Sequence, residues 1–150
     1  MSETRFCAYR SFTLAVLLAA ASPVFAGQPG AAPAGAGVGL ELNKLETYDK
    51  GCRTYMVVNN TSDVAYQSFK LDLVLFQPDG VIGKRIALDL APIKAQKRAV
   101  KPFELEGVAC DKIGSILINE FMECKTDAGP QTDCLTRIST SSLTNVQISK

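Results

Sequence analysis

The fold is decided by residues 66–80, which read YQSFKLDLVLF-QPDG. Apolar residues occupy every second position of the first part, namely Phe69, Leu71, Leu73 and Leu75, with Lys70 and Asp72 between them. This alternation predicts a β-strand from Tyr66 to Phe76 with one buried face. Pro78 favours the first turn position and Gly80 permits positive φ, so the chain is expected to return as a hairpin. The returning strand is expected to contain Val81, Ile82, Ile86, Leu88 and Leu90.

Further short strands are predicted on both sides of this hairpin. A weak strand is expected at Leu40–Leu45 and a stronger one at Cys52–Asn59; later strands are expected at 98–105 and 115–121, and one or two in 135–148. Pro102 cannot donate a ladder hydrogen bond and therefore indicates an edge strand or a bulge. No segment has a helical period. The pattern predicts an all-β fold, an antiparallel immunoglobulin-like β-sandwich of about seven strands.

The N-terminus has the zones of a secretory signal peptide in residues 1–26. Arg5 and Arg10 precede an apolar run, and Val24-Phe25-Ala26 forms the expected cleavage site. The run is shorter than the roughly 20 residues that span a bilayer, so no stable membrane insertion is expected after cleavage. Residues 27–39, rich in Gly, Ala and Pro, are predicted to be a flexible linker, and residues 40–150 a single domain.

Export to the periplasm is the predicted localisation. The two arginines are not adjacent, which does not fit a twin-arginine signal, and Cys7 precedes the apolar run, which does not fit lipoprotein anchoring. Removing Arg5, Arg10 and Glu3 from 16 basic and 15 acidic residues leaves 14 of each. Because the chain without residues 1–26 has no net charge, we do not expect it to bind nucleic acid.

The four remaining cysteines predict disulfides, since an exported chain folds in an oxidising compartment. Three pairings are possible. Asp127 to Pro130 is turn material that can bring Cys124 to Cys134, and this pairing leaves Cys52 for Cys110. The chain lacks the Cys-x2–4-Cys spacing of zinc sites and the Cys-x-x-Cys of redox enzymes, so we predict no metal site here.

Catalytic chemistry is restricted by the absence of histidine. It removes the usual general base and every Ser-His or Cys-His nucleophile arrangement. Carboxylate pairs remain, Glu104 with Glu106 and Glu120 with Glu123, but solvated surface charge explains them more simply. No glycine loop suited to phosphates is present. The chain is therefore predicted to be non-enzymatic, without catalytic residues or cofactors.

Six basic residues fall within 18 positions, opposed only by Asp89. They are Lys84, Arg85, Lys94, Lys97, Arg98 and Lys101. Such a patch can dock an acidic partner. The alternative is that lysines on an edge hairpin prevent strands of other molecules from pairing with it.

The central hairpin resembles FxLYD-type and related immunoglobulin-like domains of exported bacterial proteins. The matching features are the strand ending in Leu75-Phe76, the turn Pro78-Asp79-Gly80, the outgoing Val81-Ile82 and a basic or polar loop before Phe103. They cover about a third of the residues after position 26. The resemblance implies the fold and the compartment.

The chain is also similar to a group of small periplasmic proteins of unknown function, which are often described only by their export signal. The shared features are Gly51-Cys52-Arg53 early and Ala109-Cys110-Asp111 late. Members are sometimes encoded beside the proton-driven inner-membrane motor that energises outer-membrane transport. This resemblance implies an envelope partner, although the twin arginines of the usual description are missing here.

Three functions are compatible with these observations. The first hypothesis is a non-enzymatic periplasmic accessory module that binds an envelope protein, associated with an energy-transducing or transport complex. The second is a periplasmic carrier for a small ligand or polymer, and the third is a hydrolase that uses carboxylates alone. A large apolar cavity between the sheets would favour the carrier, whereas a charged face would favour docking.

Overall fold

The structure is a computed structural model that describes residues 37–150. The predicted signal peptide, its cleavage site and residues 27–36 of the predicted linker lie outside the described residues. No helix in the described part is long and apolar enough to cross a membrane. The strands, in chain order, are β1 (Val38–Tyr48), β2 (Gly51–Asn60), β3 (Tyr66–Phe76), β4 (Ile82–Asp89), β5 (Lys97–Glu106), β6 (Ser115–Thr126), β7 (Gly129–Pro130), β8 (Ile138–Ser142) and β9 (Gln147–Ser149).

Two sheets pack together as a β-sandwich, as the sequence predicts. The first sheet has the order β5-β2-β1-β8. The second has the order β4-β3-β6-β7, and β9 pairs with the other end of β6. Most strand pairs are antiparallel, as predicted, and two are not, because β8 runs parallel to β1 and β9 runs parallel to β6. Both sheets are therefore mixed, and residues 138–149 contribute a strand to each.

The first strand begins at Val38, two residues before the predicted domain boundary at Leu40. Val38 is fully buried and lies between Asn60 of β2 and Ile138 of β8. A β-branched apolar residue with a partner on each side is stabilised as a strand residue, in spite of the glycines around it. A bulge between Leu42 and Lys44 then shifts the register of β1 against β2.

The core lies between the two sheets and is made from the alternating apolar residues of β1, β2, β3 and β6. Strand β3 has the predicted bounds, and its Leu71 and Leu73 are fully buried. Phe69 makes edge-to-face contacts with Tyr66 and Phe121, at ring-centroid distances of 5.1 and 4.8 Å. Such contacts are favourable arrangements of aromatic rings in a core.

Two disulfides join the predicted partners. Cys52 of β2 is bonded to Cys110, which begins a short 3-10 turn after β5. Cys124 of β6 is bonded to Cys134, and between them the chain turns back through β7. The bonds indicate an oxidising environment.

Candidate interaction surface

The predicted basic residues lie on and between two strands at the edges of different sheets. Strand β4 is an edge of the second sheet and β5 is an edge of the first. The two edges approach each other, because Lys84 of β4 donates from Nζ to the backbone oxygen of Glu106 in β5 at 2.5 Å. The loop 90–96 joins the opposite ends of these strands. The six predicted residues are therefore spread over an edge of the sandwich and do not form one patch.

Three of the six line one groove beside this loop. Lys97, Ala99 and Lys101 occupy every second position of β5, on the same side of the strand as the buried Leu105. Lys94 comes from the loop. The groove has a volume of about 230 Å³, and we call it the lysine groove; its lining is Val58, Pro92, Ile93, Lys94, Lys97, Ala99 and Lys101.

The loop wall of the lysine groove is fixed to β3 through Ile93. Ile93 exchanges two backbone hydrogen bonds with Tyr66, at 2.8 and 3.0 Å, and its side chain is buried. Ile93 thereby forms part of an apolar floor with Val58 of β2. The floor is a continuation of the core and is preformed.

Asn60 holds the same loop from the other side and is almost fully buried. Its Nδ2 donates to the backbone oxygens of Val64 and Lys94, at 2.7 and 3.1 Å. Its Oδ1 accepts from the backbone N–H and the hydroxyl of Ser62. Gln96, which has a positive φ of 50°, adds a backbone hydrogen bond to Ser62. The two loops are thus braced against each other.

The cationic groups of the lysine groove have no acidic neighbours within the described residues. No carboxylate oxygen of residues 37–150 lies within 4.0 Å of the ammonium groups of Lys94, Lys97 or Lys101. Lys101 donates to the backbone oxygen of Pro92 at 3.3 Å, a contact that leaves its charge uncompensated. Three lysines whose charge is not paired within the described residues therefore line one groove with an apolar floor.

The other three predicted residues lie elsewhere. Arg98, on the opposite side of β5 from Lys97, is 3.7 Å from Glu41 on the outer face of the first sheet. Lys84 lies near the far end of β4, where it contacts Glu106. Arg85 lies on the outer face of the second sheet. None of these three lines the lysine groove.

Arg85 is held by Asp72, a buried carboxylate on the neighbouring strand β3. Two hydrogen bonds of 2.7 Å join the guanidinium to both carboxylate oxygens. Asn119 donates a third, at 2.8 Å. The hydrogen bonds from Arg85 hold the pKa of Asp72 below its ordinary value, in spite of the opposing effect of burial. Arg85 therefore neutralises a buried charge of its own chain.

The carboxylate pair Glu104 and Glu106 lies on the outer face of β5. Glu104 is in a cross-strand row with Arg53 and Glu46. The Arg53 guanidinium is 2.7 Å from Glu104 and 3.8 Å from Glu46. Its hydrogen bond lowers the pKa of Glu104. A general acid needs a raised pKa, so this environment favours a charged surface network over acid catalysis.

The second carboxylate pair has partners as well. Glu120 lies 3.5 Å from Arg85. Glu123 forms an ion pair with Lys125 and accepts a 2.7 Å hydrogen bond from Ser68, and both contacts lower its pKa. Among residues 37–150, no cluster of three or more cysteine or acidic side chains is arranged to hold a metal ion.

The sequence prediction missed Asn60 and the apolar floor. Asn60 belongs to the polar run Asn59–Asp63, which has the composition of any turn. Val58 and Ile93 are ordinary core residues by pattern, and only the tertiary fold brings them together beneath the lysines.

Comparison of the chain with protein-family models, with curated proteins and with solved structures gives no significant match.

Proposed function

We propose that this protein is a non-enzymatic accessory module of the periplasm that docks an acidic envelope protein at the lysine groove. The observation that carries the proposal is that Lys94, Lys97 and Lys101 line one groove with an apolar floor, and that none of them has a carboxylate within 4.0 Å among residues 37–150. Uncompensated charge at the rim of an apolar patch speeds the encounter with an oppositely charged partner and orients it. The disulfides and the predicted signal peptide support an exported location.

The compartment is tested by mass spectrometry of the protein after expression with its own N-terminal segment. The expected protein begins at Gly27, is recovered from the periplasm and has no thiol that can be alkylated without reduction. A chain that retains residues 1–26, or that stays in the cytoplasm, would contradict export.

The docking surface is tested by reversing the three charges of the lysine groove together, with Lys94, Lys97 and Lys101 changed to Glu. A partner is first captured from envelope extracts, identified and purified, and its association is then followed by surface plasmon resonance. The reversed variant should associate more slowly, and raised salt should weaken wild-type binding, because the Debye length is only about 10 Å at 0.1 M. The same change of three exposed lysines elsewhere gives a matched control: Lys44, Lys50 and Lys112.

The competing role of these lysines is protection of the β5 edge. Lys97 and Lys101 lie on the core-facing side of an edge strand, a position typical of charges that block edge-to-edge pairing. If this is their role, a variant with the three lysines changed to Gln should bind its partner as the wild-type protein does. The variant should also self-associate more than the wild-type protein does. Unchanged binding together with new aggregation, measured by light scattering, would overturn the docking proposal.

A further inference from the structure

The lysine groove combines two kinds of contact within a small volume. Its floor is made of the buried side chains of Val58 and Ile93, with Pro92 and Ala99 offering apolar surface beside them, and three lysines line the same groove. The volume of about 230 Å³ is smaller than the roughly 300–1,000 Å³ of pockets that enclose drug-sized ligands. The space suits one apolar side chain with a carboxylate directly beside it.

This combination distinguishes a chain end from an acidic segment within a chain. Internal Asp and Glu residues carry their charge at the tip of the side chain and have no further apolar group to place on a floor. A terminal residue with an apolar side chain presents both groups from one Cα atom. A fixed carboxylate also accepts charge-assisted hydrogen bonds from several ammonium donors.

The free edge of β5 limits the length of a peptide that could pair with it beside the groove. Strand β5 has only β2 as a neighbour in its sheet, so its other edge can receive an extended peptide. Pro102 has no N–H and interrupts the donors of this strand directly after Lys101. The residues from Lys97 to Lys101 can therefore pair with a short chain end, whereas a long added strand would meet Pro102.

We infer that the lysine groove binds the carboxyl terminus of a partner polypeptide whose last side chain is apolar. The side chain packs against Pro92 and Ala99, above the buried Val58 and Ile93, and the terminal carboxylate is held by the lysines that line the groove. This inference rests on the proposed docking function and specifies the part of the partner that is recognised.

The inference is tested by nuclear magnetic resonance titration of the exported, isotope-labelled chain with short synthetic peptides. The first probe is an N-terminally acetylated Gly-Ser peptide that ends in leucine with a free carboxylate. The same peptide as a C-terminal amide, and one that ends in glycine with a free carboxylate, remove one chemical group each. A fourth probe is a blocked peptide with several internal acidic residues, and a fifth is octanoate.

The leucine carboxylate peptide should shift the backbone resonances of Lys94, Ala99 and Lys101 in a saturable manner. Loss of the carboxylate or of the apolar side chain should weaken binding by about tenfold or more. Changing Lys94, Lys97 and Lys101 to Gln should remove the binding, whereas changing Lys44, Lys50 and Lys112 to Gln should not. Retained far-ultraviolet circular dichroism would show that the groove variant is folded.

The possible failures are distinguishable. If the internal acidic peptide binds the groove and the leucine carboxylate peptide does not, docking stands and chain-end recognition is overturned. If octanoate binds as tightly as the peptide, the groove recognises a free amphiphilic acid, and the inference of a polypeptide end is wrong. If no probe shifts the groove resonances and charge reversal also leaves partner association unchanged, both the inference and the proposed function fall.

Discussion

The side-chain amide of Asn60 donates to the backbone oxygen of Lys94 across 3.1 Å, and joins the end of β2 to the loop that forms one wall of the lysine groove. The two residues are 34 positions apart in sequence. Asn60 also satisfies the carbonyl of Val64 and two donors of Ser62. One buried amide therefore holds both loops at this end of the sandwich.

Replacing Asn60 with Ala should lower the free energy of unfolding by about 2–4 kcal/mol, because it removes the four hydrogen bonds that one buried side-chain amide makes to both loops. Urea unfolding followed by circular dichroism measures the change. Asn59→Ala is the matched control, since Asn59 is exposed on the same strand and should change stability by less than about 0.5 kcal/mol. Similar losses for the two variants would show that the Asn60 hydrogen bonds contribute little.

Gly51 begins β2 with a φ of +149°, and a Cβ atom there would lie 2.3 Å from the backbone oxygen of Leu105. Gly51→Ala should therefore destabilise the fold by about 3 kcal/mol or more, because backbone must move apart. Gly80→Ala is a control with positive φ but open space around the Cβ position, and should cost about 1 kcal/mol. Thermal unfolding of both variants separates steric overlap from conformational strain. Equal shifts in midpoint would contradict the close approach.

The ion pair of Asp72 should make the free energy of unfolding depend on pH in the acidic range, in a direction that follows from its lowered pKa. Its pKa is lowered in the folded chain by Arg85 and Asn119, so the unfolded chain binds a proton more readily near the ordinary pKa of 3.8. The stabilisation is complete above that value and is lost as pH falls through the lower, folded pKa. We expect Asp72→Asn to be less stable at neutral pH and to have a shallower decline in stability below about pH 5.

Urea midpoints measured at a series of acidic pH values test this expectation. Asp49→Asn, in the exposed turn between β1 and β2, is the matched control and should keep the wild-type slope. If Asp72→Asn retains the full acid dependence, other carboxylates cause it and the Arg85 pair does not.

The two disulfides should differ in their contribution to stability. On the loop-entropy argument, the Cys52–Cys110 bond, with a separation of 58 residues, contributes about 4 kcal/mol, and the Cys124–Cys134 bond, with a separation of 10, contributes about 3 kcal/mol. Replacing both cysteines of a pair with Ala should therefore cost more for the first bond. Urea unfolding of the two double variants measures the difference. A greater loss for the second pair would contradict the entropic argument.

The strands that the sequence predicted best are those whose alternation is continuous. Strand β3 has the predicted bounds because Phe69, Leu71, Leu73 and Leu75 alternate without interruption. Strand β6 was expected to end at Phe121 but continues to Thr126. A register shift in its pairing with β3, between Asp72 and Leu73, makes Asn119 an extra residue next to Glu120, and both are exposed, which breaks the alternation without ending the strand.

Long-range relationships could not be predicted in the same way. Strand β8 pairs in parallel with β1, and this pairing places Ile138 beside Val38. The Ser- and Thr-rich sequence of β8 does not indicate which strand it pairs with. At the candidate site, side chains in a strand repeat every two residues, so the sequence alone places Lys97 and Lys101 on one side of β5. It could not show that Arg85 would face Asp72, because that contact depends on the register of the β3–β4 hairpin, which shifts between Leu75 and Phe76.

The parallel pairing of Val38 with Ile138 has a consequence for biosynthesis. During synthesis or translocation from the N-terminus, β1 gains β2 early, but its other edge stays open until Ile138 has emerged. Long-range pairing of this kind is slow, and an unpaired edge is a place where nascent chains associate wrongly. The first strand to emerge is thus completed by one of the last, and the sandwich can close only after nearly all of its chain has been delivered.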